Sequence, residues 1–265
     1  MKVITVNPQQ NRNYWLKRAG KFDEIYVSET TQVLNDLEYY YRETYREVLK
    51  ELTLLQAENA NTNIVTEQER LLEDTLINID NQLTLLYENE INIVGNSLRN
   101  TYLSTYMVVD DALKDLGIDV QHLLPNAVED AVRYNWSGAT YSDRIWHRKD
   151  KLLFEMKETI TKGLIRESGY HEMAEELSKR MNVSYDACRT LVNTEVQAIQ
   201  VRSTLNNYAN NDIEKCEISA ILDTKLCSHC NEHDGDIVEV VNGVMGDNIP
   251  PYHPNCRCCL LPVIE

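Results

Sequence analysis

Between Pro8 and Pro125 the chain contains no proline, and only Gly20, Gly95 and Gly117 interrupt a stretch rich in Leu, Glu, Asn and Tyr. In a helix interior proline costs ~3 kcal/mol and glycine about 1 kcal/mol relative to alanine, so their scarcity points to long helices. The apolar pattern agrees. Leu34, Leu37, Tyr41, Tyr45, Val48, Leu52 and Leu55 recur at three- or four-residue steps and form one stripe. Leu72, Leu76, Ile79, Leu83 and Leu86 form a second, and Leu98, Tyr102, Tyr106, Val109, Leu113 and Leu116 a third. The polar run at 59–63, Asn-Ala-Asn-Thr-Asn, predicts a turn between the first two, with Thr66 and Glu69 capping the helix that follows. Gly117 suits the left-handed residue that closes a helix. The pattern leaves open whether the second and third stripes lie on one rod across Gly95.

These stripes predict helices packed as a hairpin or bundle. Tyr39, Tyr40 and Tyr41 in succession cover more than one helix face, which provides for contact with a partner or a neighbouring subunit besides internal packing. The first twenty-two residues carry Lys2, Arg12, Lys17, Arg18 and Lys21 and no acid, a tail able to meet phosphate or an acidic protein face. From Ile118 the pattern changes to shorter helical segments. Pro125 starts one that runs to Tyr134, and Ser142 and Asp143 cap another through Leu164. Two more span 172–179 and 185–206. After Cys216 the signal is strand-like: 217–222 pairs with 237–241, and Asp234-Gly235 and Asn242-Gly243 supply turns. The expected architecture is mainly α, with long N-terminal helices, a second domain of shorter helices and a small β-rich C-terminal module. Its segments are 1–21 (basic), 22–117 (long helices), 118–211 (middle helices) and 212–265 (Cys/His-rich).

That last segment carries the chemistry. Cys227-Ser228-His229-Cys230 is followed, after twenty-two residues, by His253-Pro254-Asn255-Cys256-Arg257-Cys258-Cys259, so five of the seven cysteines fall in the final forty residues. Two pairs with a two-residue spacing, Cys227/Cys230 and His253/Cys256, can each present donors to one ion from a tight turn. The expected ligands of a structural zinc are Cys227, Cys230, His253 and Cys256, with Cys258 as the alternative fourth. No run of eighteen apolar residues occurs and the N-terminus is too short and polar for a secretory signal, so the chain is expected in a cytosol, where clustered thiols serve metals more readily than disulfides.

A net charge of -16 argues against binding duplex DNA through the whole surface, since phosphate affinity comes from neutralising cations. Any DNA contact is expected to be local, with Arg144, Arg148, Lys149 and Lys151 the densest basic patch. Cys227 and Cys230 also fit a redox dithiol, but the thioredoxin type sits in a βαβ unit and here the motif lies in a turn-rich segment between strands. The H-x-E signature of zinc deaminases is missing, as are the Walker loop, the dinucleotide glycine turn, G-x-S-x-G and H-E-x-x-H. The reading is therefore of a protein that is not an enzyme.

Several segments taken in order resemble the minor head proteins of tailed bacteriophages, the head morphogenesis family named after protein F of phage Mu. Tyr14-Trp15 with Arg18 resembles its aromatic-basic opening. Trp136-Ser137-Gly138 and Tyr141-Ser142-Asp143-Arg144-Ile145-Trp146 resemble its W-x-G…(F/Y)-S-x-R-(I/V)-W block, and Arg189 with Thr194-Glu195 its R-x-x-R-T-E segment. Asp223, Cys227, Cys230, Asp234-Gly235 and the run from Pro250 to Cys258 resemble its ending, D-x-x-x-C-x-x-C…D-G…P-P-x-H-P-x-C-R-C. Asn193 stands where the family has arginine, and the tryptophan expected near Ile221 is absent. The resemblance implies a low-copy structural component of the virion, associated with the portal and with capsid or scaffold proteins. It implies a part in head assembly and in genome packaging or ejection, and in some relatives a DNA contact.

Overall fold

A computed structural model describes residues 8–62, 64–221 and 226–264. Lys2, Asn63, Leu222 and Asp223, which figure in the readings above, lie outside the described residues. Two long helices come first, α1 (Pro8–Asn59) and α2 (Val65–Asp115), followed by α3 (Ala127–Val132), α4 (Tyr141–Ile165) and α5 (Tyr170–Asn210). The C-terminal part adds β1 (Lys215–Ser219), α6 (Ser228–Glu232), β2 (Ile237–Glu239) and β3 (Cys259–Val263). The protein is mainly α-helical with a small C-terminal strand module.

The proline-free stretch folds as its composition demands. α2 runs unbroken through Gly95, so the second and third stripes share one rod. It ends as expected: Gly117 takes φ 80° and the Ile118 N–H reaches back to the Leu113 carbonyl at 3.1 Å, the Schellman closure. Several boundaries differ from the sequence reading. α2 begins at Val65, so Thr66 lies inside it, and Thr62 Oγ1 accepts the Ile64 N–H instead at 3.3 Å. Asn126 at φ 66° separates Pro125 from α3, which is shorter than 125–134. α4 starts at Tyr141, placing Ser142 and Asp143 in its first turn, where the carboxylate favours the helix dipole. The two helices expected at 172–179 and 185–206 are one, α5, because no proline or glycine separates them and Met181, Ser184 and Cys188 are buried at helical spacing.

The chain divides into two compact units built from discontinuous segments. Unit 2 comprises Val33–Val94 and Tyr141–Arg189. Its apolar interior takes Leu37, Val48, Leu52, Ile79, Leu83 and Leu86 from the first two stripes, with Ile145, Leu152, Met156 and Leu177. Each such side chain contributes roughly 1.5–3 kcal/mol on burial. Of the three consecutive tyrosines, Tyr41 is in the core while Tyr39 is exposed. A polar network crosses the same interior. Glu90, 0% exposed, receives Arg148 and the Tyr41 hydroxyl, the latter at 3.1 Å, and Tyr87 OH lies 2.6 Å from Ser184 Oγ. Burial pushes the Tyr41 phenol well above its ordinary range.

Unit 1 comprises Met1–Gln32, Gly95–Thr140 and Thr190–Glu265. Trp15 and Phe22 of α1, Val109 and Leu113 of α2, and Val201, Leu205 and Tyr208 of α5 bury against Cys216, Ile218, Leu260 and Leu261 of the sheet. The sheet has the order β2-β1-β3 with both pairings antiparallel; Cys216 faces Val238 on one side and Pro262 on the other. β1 starts two residues before the strand read from 217, and after Glu239 the expected partner turns into a 3-10 helix, Val240–Asn242. The third strand, β3, was not expected. It is an edge strand, the position where Pro262, lacking an N–H, is tolerated. Two of the N-terminal cations, Arg12 and Arg18, have partners in this unit. Arg12 bonds Glu217 at 2.5 Å and Arg18 bonds Asp115 at 2.6 Å while lying 3.6 Å over the Tyr14 ring.

Candidate metal centre

Two turns of the same kind converge in unit 1. Cys227 precedes α6 in extended conformation, and its Sγ accepts the Cys230 N–H at 3.3 Å, so the two-residue spacing folds both sulfurs to one side. In the second turn the Cys256 N–H bonds the His253 carbonyl at 3.1 Å, with Asn255 at φ 60°, a left-handed conformation that asparagine tolerates. His253 Nδ1 lies 2.8 Å from the Pro254 carbonyl. This contact fixes the ring so that Nε2 stands 3.2 Å from Cys227 Sγ and 3.1 Å from Cys230 Sγ. Cys230 Sγ is in turn 3.8 Å from Cys256 Sγ.

The donors form two overlapping groups, Cys227/Cys230/His253 and Cys230/Cys256/Cys258, each with all its ligand atoms within 4.8 Å of one another. Cys230 belongs to both. The 3.8 Å sulfur separation is the edge of a tetrahedron drawn around an ion with bonds of ~2.3 Å, and imidazole and thiolate are the donors that borderline-soft ions prefer. The cluster can hold a metal. Cys259 is in neither group; it lies in β3 opposite Ser219. His229 and His233 are also outside them, their rings 4.8 Å apart and 5.0 and 4.9 Å from that of Tyr252.

Proton sharing inside the cluster is uneven. The Cys258 thiol hydrogen bond holds Cys256 down at about 5 against the opposing effect of burial. The same bond, then burial, pushes Cys258 up, and burial raises Cys230 to about 12. The Cys230 backbone N–H lowers Cys227. For His253, burial pulls its pKa down but the Pro254 carbonyl and the neighbouring thiolates outweigh it, so the net direction is up. Thiols crowded this closely cannot all ionise unless a cation joins them.

The support comes from α5. Thr194 Oγ1 accepts the Asn255 N–H at 3.0 Å, Asn193 Nδ2 donates to Asn255 Oδ1 at 3.1 Å, and Gln197 Nε2 donates to the Cys258 carbonyl at 2.7 Å. Glu195, next in the same turn, is buried and accepts the Trp136 indole N–H at 3.2 Å. The Thr-Glu segment thus positions the loop that carries His253, Cys256 and Cys258. Sequence reasoning missed Thr194 and Gln197 in this role because the contacts span 61 residues, although their proximity to Asn193 and Glu195 marked the helix. Trp146, the last residue of the W-x-G…(F/Y)-S-x-R-(I/V)-W block, is 36% exposed.

The four basic residues singled out on α4 lie away from these donors in sequence and belong to unit 2. Arg148 is engaged with Glu90, Lys149 with Asp80, and Lys151 lies 4.0 Å from Glu155, while Arg144 is half-buried. β1 and β2, on either side of the Cys227–Cys230 turn, run antiparallel, unlike the parallel strands around a thioredoxin-type dithiol.

Residues 155–261 match the family of Phage Mu protein F like proteins. A relative, the minor head protein GP7 of Bacillus phage SPP1, is 22% identical over 92% of this chain and 82% of its own length. Both similarities point to the phage minor head protein family. The match covers the whole Cys/His cluster and all of α5, the same stretch in which the candidate site is built. No solved structure matches the chain. Among the described residues no helix is long and apolar enough to cross a membrane.

Proposed function

We propose that this chain is a structural minor head protein whose C-terminal module is closed by one zinc ion. The observation that carries the metal reading is the convergence of two Cys/His turns on Cys230 Sγ, with nitrogen at 3.1 Å and sulfur at 3.8 Å. Cys227, Cys230 and His253 supply three ligands. Cys256, the thiol most easily ionised, supplies the fourth, and Cys258 is the alternative. The ion's part is a four-coordinate cross-link that ties α6 and the 253–258 loop into one rigid unit. Metal analysis of the protein purified under reducing conditions tests this: about one zinc per chain is expected, and less than about half an equivalent overturns it.

The head role rests on the similarity of residues 155–261 to Phage Mu protein F like proteins, on the likeness to a phage minor head protein, and on a fold of long helices that offers extended side surfaces for association. In this reading the protein resides in the virion, docks on the portal or inner shell, and takes part in head assembly and in genome packaging or ejection. Portal rings assembled in the presence of the chain should retain it through size-exclusion chromatography; free elution of the chain would remove the docking. Thr194→Val offers a finer test of the metal centre. Losing the hydrogen bond to Asn255 costs about 1 kcal/mol and should weaken zinc affinity by roughly 5-fold, since groups that orient ligands tune the metal. Competition with a chelator dye measures it, and unchanged affinity would separate α5 from the centre.

A binding reading through local cations predicts a different behaviour. With Arg148 and Lys149 engaged by Glu90 and Asp80, DNA retention at physiological salt should be negligible and insensitive to Lys151→Ala. Retention that falls steeply with salt and is lost in that variant would restore it.

A further inference from the structure

Unit 1 contains a cavity of about 350 Å³ between α2, the segment leading into α3, and α5, lined by Tyr102, Tyr106, Leu124, Ala131, Arg202 and Asn206 among others. Its polar wall has more donors than acceptors. Asn206 Nδ2 donates to Tyr102 OH at 2.9 Å and Asn210 Nδ2 to Tyr106 OH at 3.0 Å, so both phenol oxygens act as acceptors. Neither hydroxyl proton has an acceptor among the described residues. Arg202 lies 4.2 Å over the Tyr134 ring, a contact that uses the aromatic face and leaves the guanidinium N–H groups unused. Its Nε is buried with no hydrogen-bond partner, and no carboxylate comes within ion-pair distance of it among the described residues. Acidic residues are not scarce: the chain has 42 against 26 basic ones. An unpaired buried donor on a cation is costly to keep and is relieved by an anion.

The rim narrows the choice of anion. Leu124 is 60% exposed, and Leu123, Pro125 and Ala127 continue an apolar edge. Asp130 stands at the same opening and would repel a polyanion. Duplex phosphate therefore fits poorly, and a single carboxylate joined to an apolar side chain fits well. The volume falls in the usual range for a pocket that encloses a small ligand. We infer that this cavity captures the chain end of a partner protein, its terminal carboxylate on Arg202 and the two tyrosine hydroxyls, its apolar last side chain against Leu124.

Titration of the full-length protein by methyl-detected NMR tests the inference, using N-acetyl-leucine as probe, N-acetyl-leucinamide as the same apolar group without the charge, and inorganic phosphate as the charge without the apolar group. N-acetyl-leucine should saturate and shift the Leu123, Leu124 and Ala131 methyls, while the amide binds about tenfold or more weakly. Arg202→Met should lose that preference. Leu124→Asp, a rim change that leaves the interior untouched, should abolish binding while the thermal unfolding midpoint stays at the wild-type value. Equal binding of acid and amide, or full binding by Leu124→Asp, overturns the inference. Phosphate that displaces N-acetyl-leucine at equal concentration also overturns it, in favour of a nucleic-acid site.

Discussion

Cys230→Ser should strip the metal from the protein and melt the C-terminal module while the helices of unit 2 stay folded. Cys230 is buried, belongs to both donor groups, and has its sulfur within 3.1 Å of His253 Nε2 and 3.8 Å of Cys256 Sγ. A serine there offers a hard oxygen that zinc holds weakly among thiolates, and with no ion its hydroxyl is a buried polar group. Binding of structural zinc is worth on the order of 10 kcal/mol in small metal-dependent units. Here the sheet also packs on Leu205 and Tyr208 of α5, and Tyr208 OH bonds the Leu260 carbonyl at 3.1 Å, so some of β1 and β3 should persist. Hydrogen exchange read by mass spectrometry should show lost protection across 226–258 and unchanged protection across 37–55 and 79–94. Cys259→Ser is the control, since Cys259 lies outside both groups, and it should keep about one zinc. If Cys230→Ser retains both zinc and protection, the cluster is not a metal centre. If Cys227→Ser abolishes a thiol-exchange activity while the module stays folded, the cluster is a redox dithiol.

What could be read from the chain before folding follows the range of each interaction. Helix formation depends on residues three and four apart, so the stripes through Leu37, Leu52, Leu83 and Leu113 are visible directly and each proves buried. The ligand pairs are visible for the same reason: a two-residue spacing is closed by one local turn. Boundaries are less legible because they depend on which backbone group is capped, as with Thr62 in place of Thr66. β3 gave no alternating signal, since Leu260, Leu261 and Pro262 are buried in succession on a strand where the α5 face and the module both cover it. The grouping into units is not encoded in any window of sequence. α1, α2 and α5 each contribute to both units, so only long-range packing assigns their halves. The α5 residues that position the 253–258 loop belong to this last class. Their identity is ordinary, and only their contacts make them functional.

The interior of unit 2 supplies the second large effect. Glu90→Leu should destabilise this unit by about 3–5 kcal/mol, the usual cost of removing one partner of a buried ion pair and leaving the other charge in place. Arg148, its side chain 11% exposed, sits with Tyr41, Tyr87 and Cys188 around the carboxylate, and no water shell can replace it. Burial works against the guanidinium charge, but Tyr41 and Glu90 more than offset it and hold Arg148 protonated beyond its ordinary range. Removing Arg148 by Arg148→Met should cost a similar amount, because Glu90 would then be an unpaired buried anion. The two losses should not add. In Glu90→Leu/Arg148→Met both charges are gone and two apolar side chains fill the space, so stability should return to within about 1–2 kcal/mol of the wild type. Urea unfolding followed by helix circular dichroism checks all four proteins. Additive losses in the double variant would mean that the pair is not coupled. Full recovery would mean that the ion pair is kept to fix which faces of α2 and α4 meet, since a charge on one helix admits only the register that presents its counter-ion on the other.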